Sequence, residues 1–315
     1  MNVVPIVYAF NYKVTMPAGV CFTSLLKAAN PDTFYDIHIM HGPTELDTPY
    51  QSELKKLESH FSNCKISFIN IGDMFDNVYV ARGIPRLTYY KIVISDMIPQ
   101  YDRVLFSDID ILYTGDLWEY YSKTDLDGYV IAAAKAAYVN DKYTKEIGCD
   151  VDNYVNCGFL LYNLKMLREN PQFIEEQKKL CGKKWVFFDQ DIANIVFKGK
   201  IKIVSPKYNS TYTFFLKANQ KSARVRRIYS EEEIQEGLSP LVIHYTGINP
   251  WQSFCPRHDI WWQNYRESIY YDQNYYYKHY YKLLNPQKSV VINQMLSTFL
   301  TNPIKSWYRK LKPNS

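Results

Sequence analysis

Through roughly the first 110 residues, short apolar runs alternate with segments of helical spacing, and this alternation constrains the fold more than any other feature of the chain. Val3 to Ala9 is an apolar run that reads as a buried strand. Ala18 to Ala29 has helical spacing and meets a stop signal at Asn30-Pro31. Phe34 to His41 alternates as a strand does, and Pro49 to Ser62 reads as an amphipathic helix with Leu54, Leu57 and Phe61 on one face. Lys65 to Ile71 is a third strand, Thr88 to Met97 a helix, and Arg103 to Phe106 a strand running into Ser107-Asp108. Strands and helices in this order predict an α/β fold with a mostly parallel central sheet and helices on both faces. Ligands of such sheets bind beyond the carboxyl ends of the strands, so chemistry is expected after Ala9 and after Phe106. Farther along, Gly158 to Tyr162 reads as an apolar strand and Gln190 to Phe197 as a helix.

Composition narrows the function classes. The net charge is +5 with a pI of about 8.6, an excess too small and too dispersed to indicate nucleic acid. The one local basic cluster, Arg224, Arg226 and Arg227, is followed at once by Glu231, Glu232 and Glu233. None of the six cysteines has C-x-x-C spacing, which disfavours a zinc site, and their scatter reads as buried thiols in a reducing compartment. The first residues, with Pro5 and no basic lead, look like a strand rather than a signal peptide, and no uncharged apolar stretch is long enough to span a bilayer. A cytoplasmic protein is the expectation. Twenty-nine tyrosines and six tryptophans suit stacking on sugars or residence at a membrane interface, although a tyrosine-rich core would give the same count.

Four Asp-x-Asp triplets occur: Asp108/Asp110, Asp125/Asp127, Asp150/Asp152 and Asp189/Asp191. Context selects the first, which follows the strand Arg103–Phe106 with apolar residues on both sides. Carboxylates at i and i+2 on an extended segment point to one side and can share a divalent cation. Carboxylates embedded among apolar residues need a partner or an ion. Such an ion suits a diphosphate leaving group, whose developing charge it neutralises. The remaining triplets are expected mainly in turns and caps. Phosphatases that use Asp-x-Asp at a first strand are disfavoured, because the first strand here ends in Ala9-Phe10-Asn11.

Six segments then fall in one order: PIVYAFNY, RLTYYKI, VLFSDIDIL, YVNCGFLLYNL, FFDQDIAN and HYTGINPW. Together they resemble retaining glycosyltransferase family 8, which includes lipopolysaccharide galactosyl- and glucosyltransferases and glycogenin. The resemblance implies a GT-A type nucleotide-sugar-binding fold over 1–265, followed by a short helical, aromatic and basic segment over 266–315. It implies metal ligation by Asp108, Asp110 and His244, with Mn²⁺ as the ion and Mg²⁺ as the alternative. Lys91, Asn156, Asp189 and Gln190 match donor-sugar contacts, and Gln190 with Asp189 match the catalytic position. The Gln190 amide can orient or stabilise an oxocarbenium-like centre but is a poor nucleophile, so retention is expected by front-face substitution. Tyr8, Ala9, Asn11, Tyr12, Ile84, Ile109 and Gly247 match nucleotide contacts, with Tyr12 as the candidate to stack on the base and Gly247 allowing close approach of a phosphate. Helix capping is the competing reading for Asp189 and Asp191, and for Asp191 it is the expected role.

The chain departs from the family pattern at the nucleotide. Ala9 and Phe10 stand where relatives carry acidic residues, and the segment Gly247-Ile248-Asn249-Pro250-Trp251 lacks a lysine expected two residues before the tryptophan. Arg257 and Lys221 are candidates to supply that charge. Between Lys288 and Leu311 the apolar residues fit one helix face beside Lys305, Arg309 and Lys310, which suits an anionic membrane surface. A helix packed on its own domain or on a second subunit has the same pattern. The combined expectation is a metal-dependent retaining hexosyltransferase, peripheral on the inner face of the membrane. It would move galactose or glucose from a UDP-sugar to a lipopolysaccharide- or capsule-type glycan or glycolipid acceptor, with no role for nucleic acid. The alternative is a non-catalytic relative that binds glycans or a partner through a modified nucleotide site.

Overall fold

The apolar run at the start of the sequence becomes the centre of a sheet because it has a core on each side. In β1 (Asn2–Ala9), Val4, Ile6 and Tyr8 are fully buried against one set of helices, while Val7, also fully buried, faces the other. This is the period-2 geometry of a strand covered on both faces. The computed structural model describes residues 1–81 and 86–284. Within them, a seven-stranded sheet has the order β3-β2-β1-β4-β7-β6-β8. Its other members are β2 (Thr33–His41), β3 (Cys64–Asn70), β4 (Arg103–Ser107), β6 (Ile131–Ala134), β7 (Phe159–Asn163) and β8 (Ile201–Val204). Every pairing is parallel except the two made by β7. Helices Thr15–Lys27 and Thr48–His60 cover the Ile6 face through Phe22, Leu25, Leu54 and Leu57.

The mostly parallel α/β sheet is therefore as expected, and most element ends lie within three residues of the sequence reading. One element differs in kind. Residues Arg86–Val93 form a 3₁₀ helix that becomes α-helical only over Ile94–Met97. Leu87 and every residue from Tyr89 to Ser95 are buried, and the run is rich in β-branched and aromatic side chains. Packing on all sides, rather than helix propensity, sets its path.

A second, three-stranded sheet has the order β5-β10-β9, formed by β5 (Ile111–Tyr113), β9 (Ser210–Thr211) and β10 (Val242–His244). The chain passes from β4 in the large sheet to β5 in the small one through Asp108-Ile109-Asp110, so the acidic pair sits on the link between the two sheets.

Behind the small sheet lies an aromatic pack. Trp261, Trp262 and Tyr265 of helix His258–Arg266 are at most 1% exposed and meet Val20, Leu112 and Tyr245. Helix Gln273–Leu284 adds Tyr275, Tyr276 and Tyr280, whose rings all contact Trp262. Tyr270 lies so close to helix Thr15–Lys27 that a Cβ at Gly19 would be 2.0 Å from its ring. Tyr270, Tyr275, Tyr276 and Tyr280 thus pack against the preceding chain. The segment Lys288 to Leu311 and residue Ile84 lie outside the described residues. Among the described residues, no helix is long and apolar enough to cross a membrane.

Candidate active site

Strand register explains how His244 returns to the acidic pair. β10 runs antiparallel to β5 with His244 opposite Ile111, and the Tyr245 amide donates to the Asp110 carbonyl at 2.9 Å. On the other side, the Asp108 amide donates to the Gly158 carbonyl at 2.7 Å. These pairings leave His244 Nε2 3.3 Å from Asp110 Oδ1 and 3.7 Å from Asp108 Oδ2. A ligand atom from each of the three residues lies within 4.8 Å of the others, and among the described residues they form the one such metal-capable group. Gly158 is required by this proximity: a Cβ there would lie 2.1 Å from His244 Cε1 and 2.7 Å from Asp108 Oδ2.

The charge balance of the group fits a divalent cation. Burial pushes the Asp108 carboxyl up to about 6, assisted by Asp110 and Asp189 and opposed by Lys91 and His244. Burial alone would lower His244, but the carboxylates, Asp110 foremost, outweigh it and raise the imidazole above its ordinary value. His244 is 2% exposed, and its Nδ1 lies 2.9 Å from Asn209 Oδ1, an arrangement that turns Nε2 toward the carboxylates. Two carboxylates and one imidazole form a donor set suited to Mn²⁺ or Mg²⁺.

Beside this group, Lys91 is 4% exposed and reaches across the site. Its Nζ is 2.8 Å from Asp189 Oδ2, donates to the Cys157 carbonyl at 3.0 Å and lies 4.2 Å from the Phe106 ring centre. Burial alone would lower the ammonium, but Asp189 and then Asp108 raise it, so the lysine stays charged. Asn156 Nδ2 donates to Gln190 Oε1 at 3.0 Å, and the Cys157 amide donates to the same oxygen at 3.3 Å. Asp189 and Gln190 begin helix Asp189–Val196 directly after Phe188, whose φ of 49° lies in the left-handed region. For a bulky residue this strain costs on the order of 1 kcal/mol, and it aims the helix start at the cleft. Phe188 is 2% exposed, with its ring stacked on Tyr79.

Asp191 does something other than cap its helix. It is 0% exposed and accepts from Tyr154 Oη at 2.5 Å, from Tyr143 Oη at 2.6 Å and from the Phe187 amide at 2.7 Å. The turn reading of two further triplets is correct: Asp125 accepts from the Asp127 amide, and Asp150 from the Asp152 amide.

All of Asp108, Asp110, His244, Lys91, Asn156, Asp189 and Gln190 line one cleft of about 640 Å³. Gly247 lines it too, and its φ of 76° favours glycine. Of the other expected nucleotide residues, those that are described, Tyr8, Ala9, Asn11, Tyr12 and Ile109, stand outside that lining. Tyr8 is fully buried, with its hydroxyl 3.0 Å from that of Tyr113. Tyr12 is 42% exposed and stacks on Tyr50, and Asn11 caps the adjoining 3₁₀ turn. Ala9 and Ile109 are partly buried beside the core. Arg257 is also absent from the cleft, its guanidinium 4.5 Å from the Phe215 ring centre, as is Lys221. Sequence reading missed Asn209, a single polar residue that no local pattern distinguishes, and gave no role to Tyr154, the first residue of the quoted segment YVNCGFLLYNL. It also missed Tyr138, a 59% exposed aromatic on the cleft wall.

Comparison with known proteins gives the family and the fold. The family model described as glycosyl transferase family 8 matches residues 5–255. The chain is 25% identical over 217 residues to the glycosyltransferase GlyB of Streptococcus pneumoniae, covering 66% of this chain and 48% of that one. It is 25% identical over 274 residues to a lipopolysaccharide 1,2-glucosyltransferase of Escherichia coli, covering 84% of this chain and 75% of the other. The chain spans about half the length of several curated relatives it matches. In fold it is similar to the galactosyltransferase LgtC, solved with donor and acceptor sugar analogues, with a TM-score of 0.70 at 23% identity over 86% of this chain and 99% of that one.

Proposed function

The chain belongs to glycosyl transferase family 8, and from that premise we propose that it is a metal-dependent retaining hexosyltransferase using UDP-galactose or UDP-glucose. The observation that carries this reading is the convergence in one cleft of the Asp108, Asp110 and His244 group with the Lys91–Asp189 pair and the Asn156–Gln190 amides. A binding module needs no such set of charged groups beside a sugar-sized space. Asp108, Asp110 and His244 would hold the ion, Mn²⁺ in preference to Mg²⁺. When bound, it supplies positive charge to a leaving diphosphate.

The side chains account for the rest. Lys91 brings a fixed positive charge into the same wall and is itself fixed by Asp189 and the Cys157 carbonyl. Gln190 is neutral, and its carbonyl oxygen already accepts from Asn156 and Cys157, so it orients the sugar without attacking it. Retention then follows by front-face substitution. The bond from the anomeric carbon to the diphosphate oxygen breaks with its electron pair on the diphosphate. The acceptor hydroxyl oxygen bonds to that carbon from the same face, and its proton passes to the diphosphate.

The acceptor class in this proposal is a lipopolysaccharide- or capsule-type glycan precursor, after the chemistry named for the Escherichia coli relative. Residues 266–315 would serve as an appended segment whose basic, aromatic end touches an anionic membrane surface on the cytoplasmic side. The direct test is turnover of UDP-galactose and UDP-glucose, each with Mn²⁺ and with chelator. UDP release and the anomeric configuration of the product would be followed by NMR. Metal-dependent release with an α-configured product is expected, whereas an inverted product, or no hydrolysis of either donor, would overturn the reading.

A further inference from the structure

A continuous run of side-chain hydrogen bonds passes from a buried carboxylate behind the cleft to the imidazole in front of it. Its order is Asp191, Tyr154, Gln190, Asn156, Asn209, His244. Tyr154 Oη donates to Asp191 Oδ1 at 2.5 Å, and Gln190 Nε2 donates to Tyr154 Oη at 3.2 Å. Asn156 Nδ2 donates to Gln190 Oε1 at 3.0 Å, and Asn209 Nδ2 donates to Asn156 Oδ1 at 2.8 Å. Asn209 Oδ1 then faces His244 Nδ1 at 2.9 Å. Asp191, Tyr154, Asn209 and His244 are all buried, at 0%, 1%, 3% and 2% exposure, so water does not compete for these groups.

The direction of the run follows from groups that cannot reverse. An ionised Asp191 only accepts, and main-chain amides only donate. Asp191 already takes the Phe187 amide and the Tyr143 hydroxyl, so Tyr154 must point its proton at it and present oxygen to Gln190. The Cys157 amide donates to Gln190 Oε1, which fixes that amide with oxygen toward Asn156. The Gly158 amide donates to Asn156 Oδ1 at 3.1 Å, which fixes the second amide the same way. Asn209 must therefore meet Asn156 with its NH₂ group and His244 with its oxygen. An oxygen 2.9 Å from Nδ1 requires a proton on Nδ1, so the neutral imidazole carries its lone pair on Nε2, the nitrogen that faces Asp108 and Asp110.

We propose that Asn209 is a positioning residue that sets the tautomer of His244 for cation binding and, through Asn156 and Gln190, ties the donor-sugar amides to the metal ligands in one hydrogen-bonded unit polarised toward Asp191. This rests on the hexosyltransferase reading for the meaning of the two ends, but the tautomer itself is a property of the protein alone. Fixing a ligating imidazole through its second nitrogen is a general means of tuning metal affinity, and removing such a partner costs about 10- to 100-fold. Here the partner is an amide that also holds the sugar site. Occupancy of one site and order in the other are therefore linked, and linkage is reciprocal.

The first measurement is long-range ¹H–¹⁵N NMR of the imidazoles at pH 9 in the metal-free, nucleotide-free protein, with the His244 signal assigned by its loss in His244→Asn. The expected result is a pure Nδ1–H tautomer, turning into a mixture or the Nε2–H form in Asn209→Ala. Mn²⁺ titration in the presence of UDP is expected to weaken about 10- to 100-fold in Asn209→Ala. Asn209→Asp, which keeps an acceptor for Nδ1 but loses the donor to Asn156, should retain the tautomer and most of the Mn²⁺ affinity while lowering turnover. Circular dichroism and thermal melts separate these effects from misfolding. An Nε2–H tautomer in the wild-type protein overturns the proposal. So does an Asn209→Ala protein with unchanged tautomer and Mn²⁺ affinity within twofold. If UDP fails to bind at all, the hexosyltransferase reading fails while the tautomer result still stands.

Discussion

Two Asp-x-Asp triplets stand at the cleft, one on the bent link between β4 and β5 and one at the start of a helix, and they deploy their carboxylates in different ways. Asp108 and Asp110 turn toward the same imidazole. Asp189 and Asp191 part company: the first meets Lys91 in the cleft wall, and the second is buried behind it between Tyr143 and Tyr154. The difference is one of backbone path. The link between β4 and β5 bends at Ile109 and Asp110 and brings both carboxylates to His244, whereas on a helix each step turns about 100°, which sends residues i and i+2 to opposite sides. One sequence pattern thus builds a joint ligand pair in one place and two separate anchors in the other.

Mutation can break or sharpen this contrast. The largest effect is expected in the joint pair, where Asp110→Asn should lower metal-dependent turnover by about 10²- to 10³-fold, as loss of a fixed electrostatic group at a transition state does. A fall below tenfold in steady-state assays would deny the pair its role. In the divided triplet, Asp189→Asn should act on stability as well as turnover, because it leaves the buried Lys91 without its carboxylate. A cost of about 3 kcal/mol is expected from the denaturant midpoint, the usual scale for breaking a buried ion pair. Gly158→Ala sharpens the first arm by steric means alone: the new methyl would displace His244, and Mn²⁺ affinity should fall about tenfold or more by titration.

Asp108 is raised from an ordinary 3.8 to about 6, so its proton competes with a cation in that range. Mn²⁺ affinity should weaken by up to about tenfold per unit as pH falls below this value, because the ligand must be deprotonated. The stability of the metal-free protein should run the other way. The folded state binds the Asp108 proton more tightly than the unfolded chain does, so stability on this account falls as pH rises from 3.8 toward 6. His244, raised above 6.5, adds stability that is full below that value and lost as pH climbs through its folded pKa. Melting temperatures across this range, with and without Mn²⁺, test both signs. The smallest effect is expected far from either triplet: Tyr12→Ala should weaken UDP binding by about 1 kcal/mol at most, since an exposed aromatic offers little beyond stacking.

How much of this was legible in the sequence differs by residue. The sheet was readable because Val4 to Tyr8 form a near-continuous apolar run, and Asp108/Asp110 were readable because they follow a strand among apolar neighbours. The reversed direction of β7 was not, since a strand's apolar pattern does not encode which way it runs. His244 was visible only through its His-Tyr-Thr-Gly context, and its real cause is the antiparallel register of β10 on β5. Asn209 had no signal at all. It depends on β9 lying beside β10, a pairing of strands far apart in sequence. Asp191 was misread as a cap because capping is the usual use of an acidic residue in a first helical turn, and only the fold places two tyrosine hydroxyls against it.

Calorimetric titration of the protein with UDP, with and without Mn²⁺ and repeated on Asp110→Ala, tests the central claim most directly. The account predicts binding that requires Mn²⁺ and disappears in Asp110→Ala. UDP binding of equal strength in chelator, or unchanged in the variant, would contradict it.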